Sequence, residues 1–133
     1  MKIERTGLIL YVKKYDACLI FYKDILKLNI LFQNDELCCF DFYGTYIMVE
    51  KEDRTEYLNL DPKYAKSFTC LRINVANVKE VAESLSEKNI EIDYQEHSWG
   101  KVAKFRDPDG NLIAFKDEAG FLKQVEGFKS KFK

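Results

Sequence analysis

Leu8, Leu10 and Val12 alternate with Gly7, Ile9 and Tyr11, a period of two that predicts a strand with two different faces. The period then lengthens. Cys18, Phe21, Tyr22, Ile25 and Leu26 recur at three- and four-residue spacing, which predicts a helix over about 16–27 with Asp16 placed to cap its start. A short strand over 28–33 ends at the Asn34-Asp35 turn, and a third runs from about Leu37 to Tyr43. Gly44-Thr45 turn the chain into a fourth strand, Tyr46 to Lys51. After a polar, irregular stretch from about Glu52 to Ser67 the same order returns. Thr69, Leu71, Ile73 and Val75 alternate with Cys70, Arg72 and Asn74. Asn77 is placed to cap a helix over about 78–88 with Val78, Val81, Ala82 and Leu85 inward, and Asn89 suits a left-handed stop. Strands near 90–95, 101–106 and 111–117 complete the second unit.

The repeat can be measured. Gly7 corresponds to Cys70 at an offset of 63, and Gly44 to Gly110 at an offset of 66. The second unit therefore carries three more residues, which this reading places in the His97-Ser98-Trp99-Gly100 loop. The pattern is α+β: two βαβββ modules, about 1–51 and 68–117, then a C-terminal extension over 118–133, all within one domain of 133 residues.

Composition narrows the picture. Apolar residues make up 47% of the chain, enough to bury a sizeable core. With 21 Lys+Arg against 22 Asp+Glu there is no electrostatic footprint for nucleic acid or an anionic membrane surface. The start Met1-Lys2-Ile3-Glu4-Arg5 lacks the apolar stretch of a signal peptide, and no apolar run reaches membrane-spanning length. Cys18, Cys38, Cys39 and Cys70 have neither zinc-knuckle nor disulfide-framework spacing. They read as reduced thiols of a cytoplasmic protein, packing as small apolar side chains.

Three segments carry a family resemblance: Phe21-Tyr22-Lys23-Asp24-Ile25-Leu26, Trp99-Gly100, and the turn Asp107-Pro108-Asp109-Gly110-Asn111 between Phe105-Arg106 and Leu112-Ile113-Ala114-Phe115. Together with the repeat, they make the chain resemble the glyoxalase/bleomycin-resistance/dioxygenase (vicinal oxygen chelate) superfamily. Trp99-Gly100 points to the bleomycin-resistance branch. Lys27 departs from the pattern, since the family usually has a glycine there. The resemblance implies that each sheet packs one face on its helix while the other faces line a shared cleft in a partly open barrel. It also implies a homodimer. By alternation, Leu8, Leu10, Val12, Ile47, Val49, Leu71, Ile73, Val75, Ile113 and Phe115 should meet helices. Gly7, Ile9, Tyr11, Tyr46, Met48, Glu50, Cys70, Arg72, Asn74, Leu112, Ala114 and Lys116 should face the cleft.

The superfamily's metal enzymes take one ligand from each of four strands, and the repeat maps these onto Gly7, Met48, Cys70 and Ala114. Gly7 and Ala114 offer no donor atom, Met48 only a soft thioether, and one thiol does not make a site. The only histidine, His97, falls in a loop. No metal and no other cofactor is expected, and no catalytic residue stands out.

What remains reads as a pocket for a small molecule, with apolar walls and a few orienting polar groups: Tyr11, Tyr46, Met48, Glu50, Cys70, Arg72, Asn74, Trp99, Leu112 and Lys116. Arg72 is either a clamp on a ligand anion or carbonyl, or one half of an internal ion pair with Glu50 or another carboxylate. Trp99 either stacks on a planar ligand or anchors a loop at a subunit contact. His97 reads as an exposed loop residue rather than a general base, and Cys70 as a packed, inert thiol rather than a nucleophile. The first expectation is thus a metal-independent binding protein that sequesters an antibiotic or aromatic metabolite. Its dimer interface would be partly covered by Phe121, Leu122, Val125, Phe128 and Phe132. Arg72 and Lys116 argue against a cationic drug such as bleomycin itself. The alternative is a metal-dependent lyase or dioxygenase with an atypical site built from Cys70, Glu50 and His97. A third possibility is a protein that regulates partners and uses the fold only as a surface.

Overall fold

Strand alternation and helical spacing resolve, in the computed structural model, into two units that repeat one topology. Residues 1–61, 66 and 68–131 are described. Met1–Ala65 together with Asp107–Asp109 form the first unit; Lys66–Arg106 with Gly110–Lys133 form the second.

In the first unit, β1 (Gly7–Val12) leads into α1 (Tyr15–Ile20), which widens into a π-helical turn at Phe21–Ile25. Then come β2 (Ile30–Gln33), β3 (Leu37–Phe42), β4 (Thr45–Lys51) and a single helical turn, α2 (Thr55–Leu58). The sheet order is β1-β4-β3-β2, with β1 parallel to β4 and the other pairs antiparallel. Asp16 does not cap α1. It lies in the first turn, and the N-cap residue is Lys14, whose side chain makes no cap bond. The carboxylate at this helix entry is Asp109, whose Oδ1 accepts the backbone N–H groups of Lys13 and Lys14 at 2.9 and 2.8 Å. Lys27 adopts φ 57°, the left-handed turn for which the superfamily usually supplies a glycine.

The second unit contains β5 (Cys70–Val75), α3 (Val78–Glu87), β6 (Asp93–His97), β7 (Gly100–Arg106), β8 (Leu112–Asp117) and α4 (Glu118–Ser130). The order is β5-β8-β7-β6, with β5 parallel to β8. Asn77 caps α3, its side chain accepting the Glu80 N–H at 3.1 Å, and Asn89 takes the left-handed conformation at φ 61°. Two expectations are corrected. The strand expected near 90–95 begins at Asp93, and His97 ends it, paired with Gly100 across a two-residue Ser98-Trp99 turn, so His97 is not a loop residue. The C-terminal extension, for which no element was expected, is a helix whose first turn is capped by Asp117. Phe132, Lys133 and part of the irregular stretch, residues 62–65 and 67, lie outside the described residues.

Strand register divides the three extra residues. Tyr43-Gly44 join β3 to β4, whereas Asp107 to Asn111 join β7 to β8. By register, the segment before β6 is two residues shorter than its counterpart and the hairpin bearing Trp99 is four longer (six residues between Phe32 and Cys39, ten between Asp93 and Lys104), while one extra residue falls in the Asp-Pro-Asp-Gly-Asn turn (four between Asp41 and Tyr46, five between Arg106 and Leu112). The first three residues of that turn belong to the first unit, where Asp107 and Asp109 are 4% and 2% exposed.

Each sheet is open and four-stranded, with one face on its helix. In the first unit Cys18, Tyr22, Cys38, Phe40, Ile47 and Val49 are fully buried on that side. Burial of each of the larger side chains contributes about 1.5–3 kcal/mol. Leu8, expected in this layer, is 42% exposed, because it lies at the start of an edge strand. In the second unit Ala103, Phe105, Ile113 and Phe115 are buried with Val78, Ala82 and Leu85 of α3.

Candidate functional site

Strand register decides which side chains share a face. On the first sheet, away from α1, it aligns Gly7 with Tyr46 and Asp41, Ile9 with Met48, Cys39 and Phe32, and Tyr11 with Glu50 and Leu37. Four of the expected site residues, Tyr11, Tyr46, Met48 and Glu50, therefore lie together on one half-buried surface. Ile9 and Phe32 extend it, 40% and 50% exposed. A side chain at Gly7 would collide with the Tyr46 ring, so the missing Cβ is what lets this ring lie flat across β1.

A residue that sequence reasoning missed stands at the rim of this surface. The Arg54 guanidinium lies 4.1 Å from the Tyr11 ring centroid and 4.4 Å from that of Tyr57. Its Nε and Nη2 donate to the two oxygens of Glu52, each at 2.8 Å. The hydrogen bonds to Glu52 push the Arg54 pKa further above its already high value. Two rings and a carboxylate thus fix the plane of a cation whose side chain is still 41% exposed. No periodicity could have found it, because Arg54 follows the last strand of the module. The signal that was present, Arg54 between Glu52 and Tyr57, is too short to read alone.

The remaining expected residues divide. Cys70, Arg72 and Asn74 are exposed on β5, and register places them on the face of the second sheet that bears Leu112, Ala114 and Lys116. Asn74 donates to Glu118 of α4 at 3.2 Å, and α4 packs on β5, β7 and β8. Lys116 is fully buried rather than open to a ligand: Nζ donates to the Trp99 carbonyl at 2.8 Å, lies 4.6 Å from the Trp99 ring centroid and is 3.4 Å from Asp117 Oδ1. Trp99 stacks on His97 at 4.6 Å, and His97 Nε2 bonds Gln95 Oε1 at 2.9 Å. Trp99, His97 and Lys116 therefore form a cluster that holds the β6–β7 turn. Gly100 completes it: φ is 143°, and a Cβ there would strike the Lys116 ammonium. Cys70, expected to be packed, is exposed.

The metal expected in the superfamily's enzymes can be tested against its four positions. At Gly7 the space for a side chain belongs to the Tyr46 ring. Met48 is a thioether on an aromatic surface, and Ala114 is buried without a donor. Partial desolvation pushes the Cys70 thiol up, opposing the thiolate a metal would need, while Lys104, Arg72 and Arg106 pull the other way. Among the described residues, no three His, Cys, Asp or Glu side chains converge as metal ligands do. The residues present do not fit a divalent metal of this type.

Comparison with known proteins identifies the family and the fold. The glyoxalase-like domain family matches residues 6–118. An uncharacterized Bacillus subtilis (strain 168) protein, YraH, is 32% identical over 115 residues, covering 78% of this chain and 90% of that one. Two solved structures share the fold. A lactoylglutathione lyase from Agrobacterium tumefaciens has a TM-score of 0.69 at 15% identity, covering 88% of this chain and 95% of that one. TnmS3, an antibiotic binding protein from Streptomyces sp. CB03234, has a TM-score of 0.67 at 19% identity, covering 88% and 98%. No helix among the described residues is long and apolar enough to cross a membrane.

Proposed function

Since this chain belongs to the glyoxalase-like family, we propose that it is a metal-independent small-molecule binding protein that sequesters an antibiotic or aromatic metabolite. The observation that carries this reading is the Tyr46 ring lying over Gly7, an aromatic platform at a position where a catalytic relative needs a ligand atom. Around the platform, Ile9, Phe32 and Met48 offer apolar area, while Glu50 and the fixed Arg54 guanidinium offer polar contacts. Flat apolar walls with few orienting groups suit a planar, mostly apolar ligand. TnmS3 lends support as an antibiotic-binding protein of the same fold. The proposal extends to a role in antibiotic resistance, to one functional domain spanning the chain, to a homodimer and to the cytoplasm. Size-exclusion chromatography with light scattering tests the dimer.

Thermal-shift screening against planar aromatic antibiotics tests the function, because a ligand that binds only the native state raises Tm. Binding should survive chelation and be lost on Tyr46→Ala. Purified protein carrying one equivalent of zinc, nickel, manganese or iron, released on mutation of Cys70 or Glu50, would overturn the reading in favour of a lyase or dioxygenase.

A further inference from the structure

The face of the second sheet not covered by α3 carries a concentration of positive charge. Register sets Arg72 on β5, Ala114 on β8 and Lys104 on β7 in one row. The next row holds Cys70, Leu112 and Arg106. At strand spacing the Arg72 and Lys104 backbones are about 10 Å apart, and Lys104 and Arg106 about 7 Å apart along one strand. Long side chains from these three positions can meet over the small Ala114 between them. All three charges oppose the rise that burial imposes on the Cys70 thiol's pKa, in keeping with their shared face.

No carboxylate pairs with these cations among the described residues. Arg72, Lys104 and Arg106 are all exposed. Arg106 is aimed by one bond, Nη1 donating to the Gly110 carbonyl at 2.7 Å. The acid opposite Lys104 in the register, Asp93, instead accepts the Gln95 amide at 3.1 and 3.3 Å. Beneath the charges, Ala114 is 3% exposed and Leu112 half-buried, so the floor is small and apolar. Three unpaired cations over an apolar floor attract an oxyanion whose apolar body can lie on that floor.

We propose that Arg72, Lys104 and Arg106 form an oxyanion site over Ala114, Leu112 and Cys70, and that its ligand is a small aromatic molecule bearing a carboxylate or phosphate. This rests on the small-molecule reading above and assigns a ligand charge to the second unit's sheet taken by itself. Arg72 thereby takes the clamp role between its two sequence-level alternatives, and Lys104 and Arg106 join it.

Calorimetric titration at low salt tests the site with 1-naphthoate, naphthyl phosphate and uncharged 1-naphthalenemethanol. The wild type should bind the two anions at least tenfold more tightly than the alcohol. Arg72→Gln, Lys104→Gln and Arg106→Gln should each remove most of that preference, leaving the alcohol's affinity and the Tm unchanged. The naphthoate and phosphate titrations identify which oxyanion is preferred. Equal affinity for alcohol and anions, unmoved by the three variants, would overturn the oxyanion site while leaving the binding function standing. Failure of every aromatic probe, charged or not, would overturn both. Tight, steeply salt-dependent binding of a single-stranded oligonucleotide, with no preference among the naphthyl probes, would make the patch a nucleic-acid surface and refute the proposal.

Discussion

Replacing Tyr22 by Phe removes one atom from the centre of the first unit. The Tyr22 ring is fully buried, packed edge-on to Phe21 at 5.2 Å and tilted against Phe40 at 6.2 Å, and these contacts survive the change. What is lost is the bond from the phenol to Asp107 Oδ2, 2.7 Å long and buried. A hydrogen bond to a charged acceptor contributes about 1.5–3 kcal/mol. With packing conserved, the expected loss is about 2 kcal/mol, or roughly 8 °C in Tm for a chain of this size. Urea unfolding followed by circular dichroism measures it. A cycle with Asp107→Asn separates the bond from other effects of each substitution, with an expected coupling of about 1.5–2.5 kcal/mol. A loss below about 0.5 kcal/mol, with coupling near zero, would refute the argument that this bond ties the Asp-Pro-Asp-Gly-Asn turn to the helix.

The same pair makes a pH prediction. Burial, then the nearby Asp107 charge, raises the Tyr22 pKa above its ordinary value near 10. The folded state keeps a proton that the unfolded chain gives up, so this contribution is whole below about pH 10 and declines as pH rises beyond it. The wild type should lose stability above pH 10 more steeply than Tyr22→Phe. Parallel curves would contradict the burial of the phenol.

Three other substitutions probe the remaining sites. Gly7→Ala should cost about 1–3 kcal/mol, because the new methyl meets the Tyr46 ring; Tyr46→Ala in the same chain should restore most of that stability in urea melts but not aromatic-ligand binding. Gly100→Ala should cost about 2–3 kcal/mol from a strained φ and the displaced Lys116, and Trp99 fluorescence should report the loosened turn. Asp117→Ala should remove about 1 kcal/mol through loss of the α4 cap, seen as reduced helical circular dichroism. The Lys101 backbone bond, foremost among its contacts, holds the Asp117 pKa below its ordinary value, so the wild type's advantage over this variant should be present above about pH 4 and fade as pH falls below it.

Both modules and their register were readable because alternation and helical spacing report local geometry, and each sheet has one uniformly apolar face. The readable part extended to caps that act within a turn, such as Asn77. Asp16 failed as a cap because the carboxylate that holds the entry of α1 comes from Asp109, a contact no local pattern encodes. Lys116 looked like a cleft residue by the same alternation that placed Ala114. Its ammonium instead bonds the Trp99 carbonyl and lies against the Trp99 ring, contacts that alternation does not report. Lys104 and Arg106 could have been found from sequence, since they alternate with the buried Ala103 and Phe105. Both lie on β7, outside the two parallel strand pairs onto which the superfamily's ligand positions map.

The three-residue difference between modules shows where the sequence leads and then stops. Offsets of 63 and 66 prove an insertion but cannot place it between Cys70 and Gly110. The β7–β8 turn takes one of the three, five residues lying between Arg106 and Leu112 against four between Asp41 and Tyr46, and a longer turn costs chain entropy unless its residues make contacts. Asp107 and Asp109 make them, with the Tyr22 hydroxyl and with the backbone before α1. Their docking is what makes the Asp-Pro-Asp-Gly-Asn signature more than a turn. The segment follows the last residue of β7 in sequence yet completes the core of the first unit, so that unit's helix entry cannot be fully satisfied until most of the chain has been made.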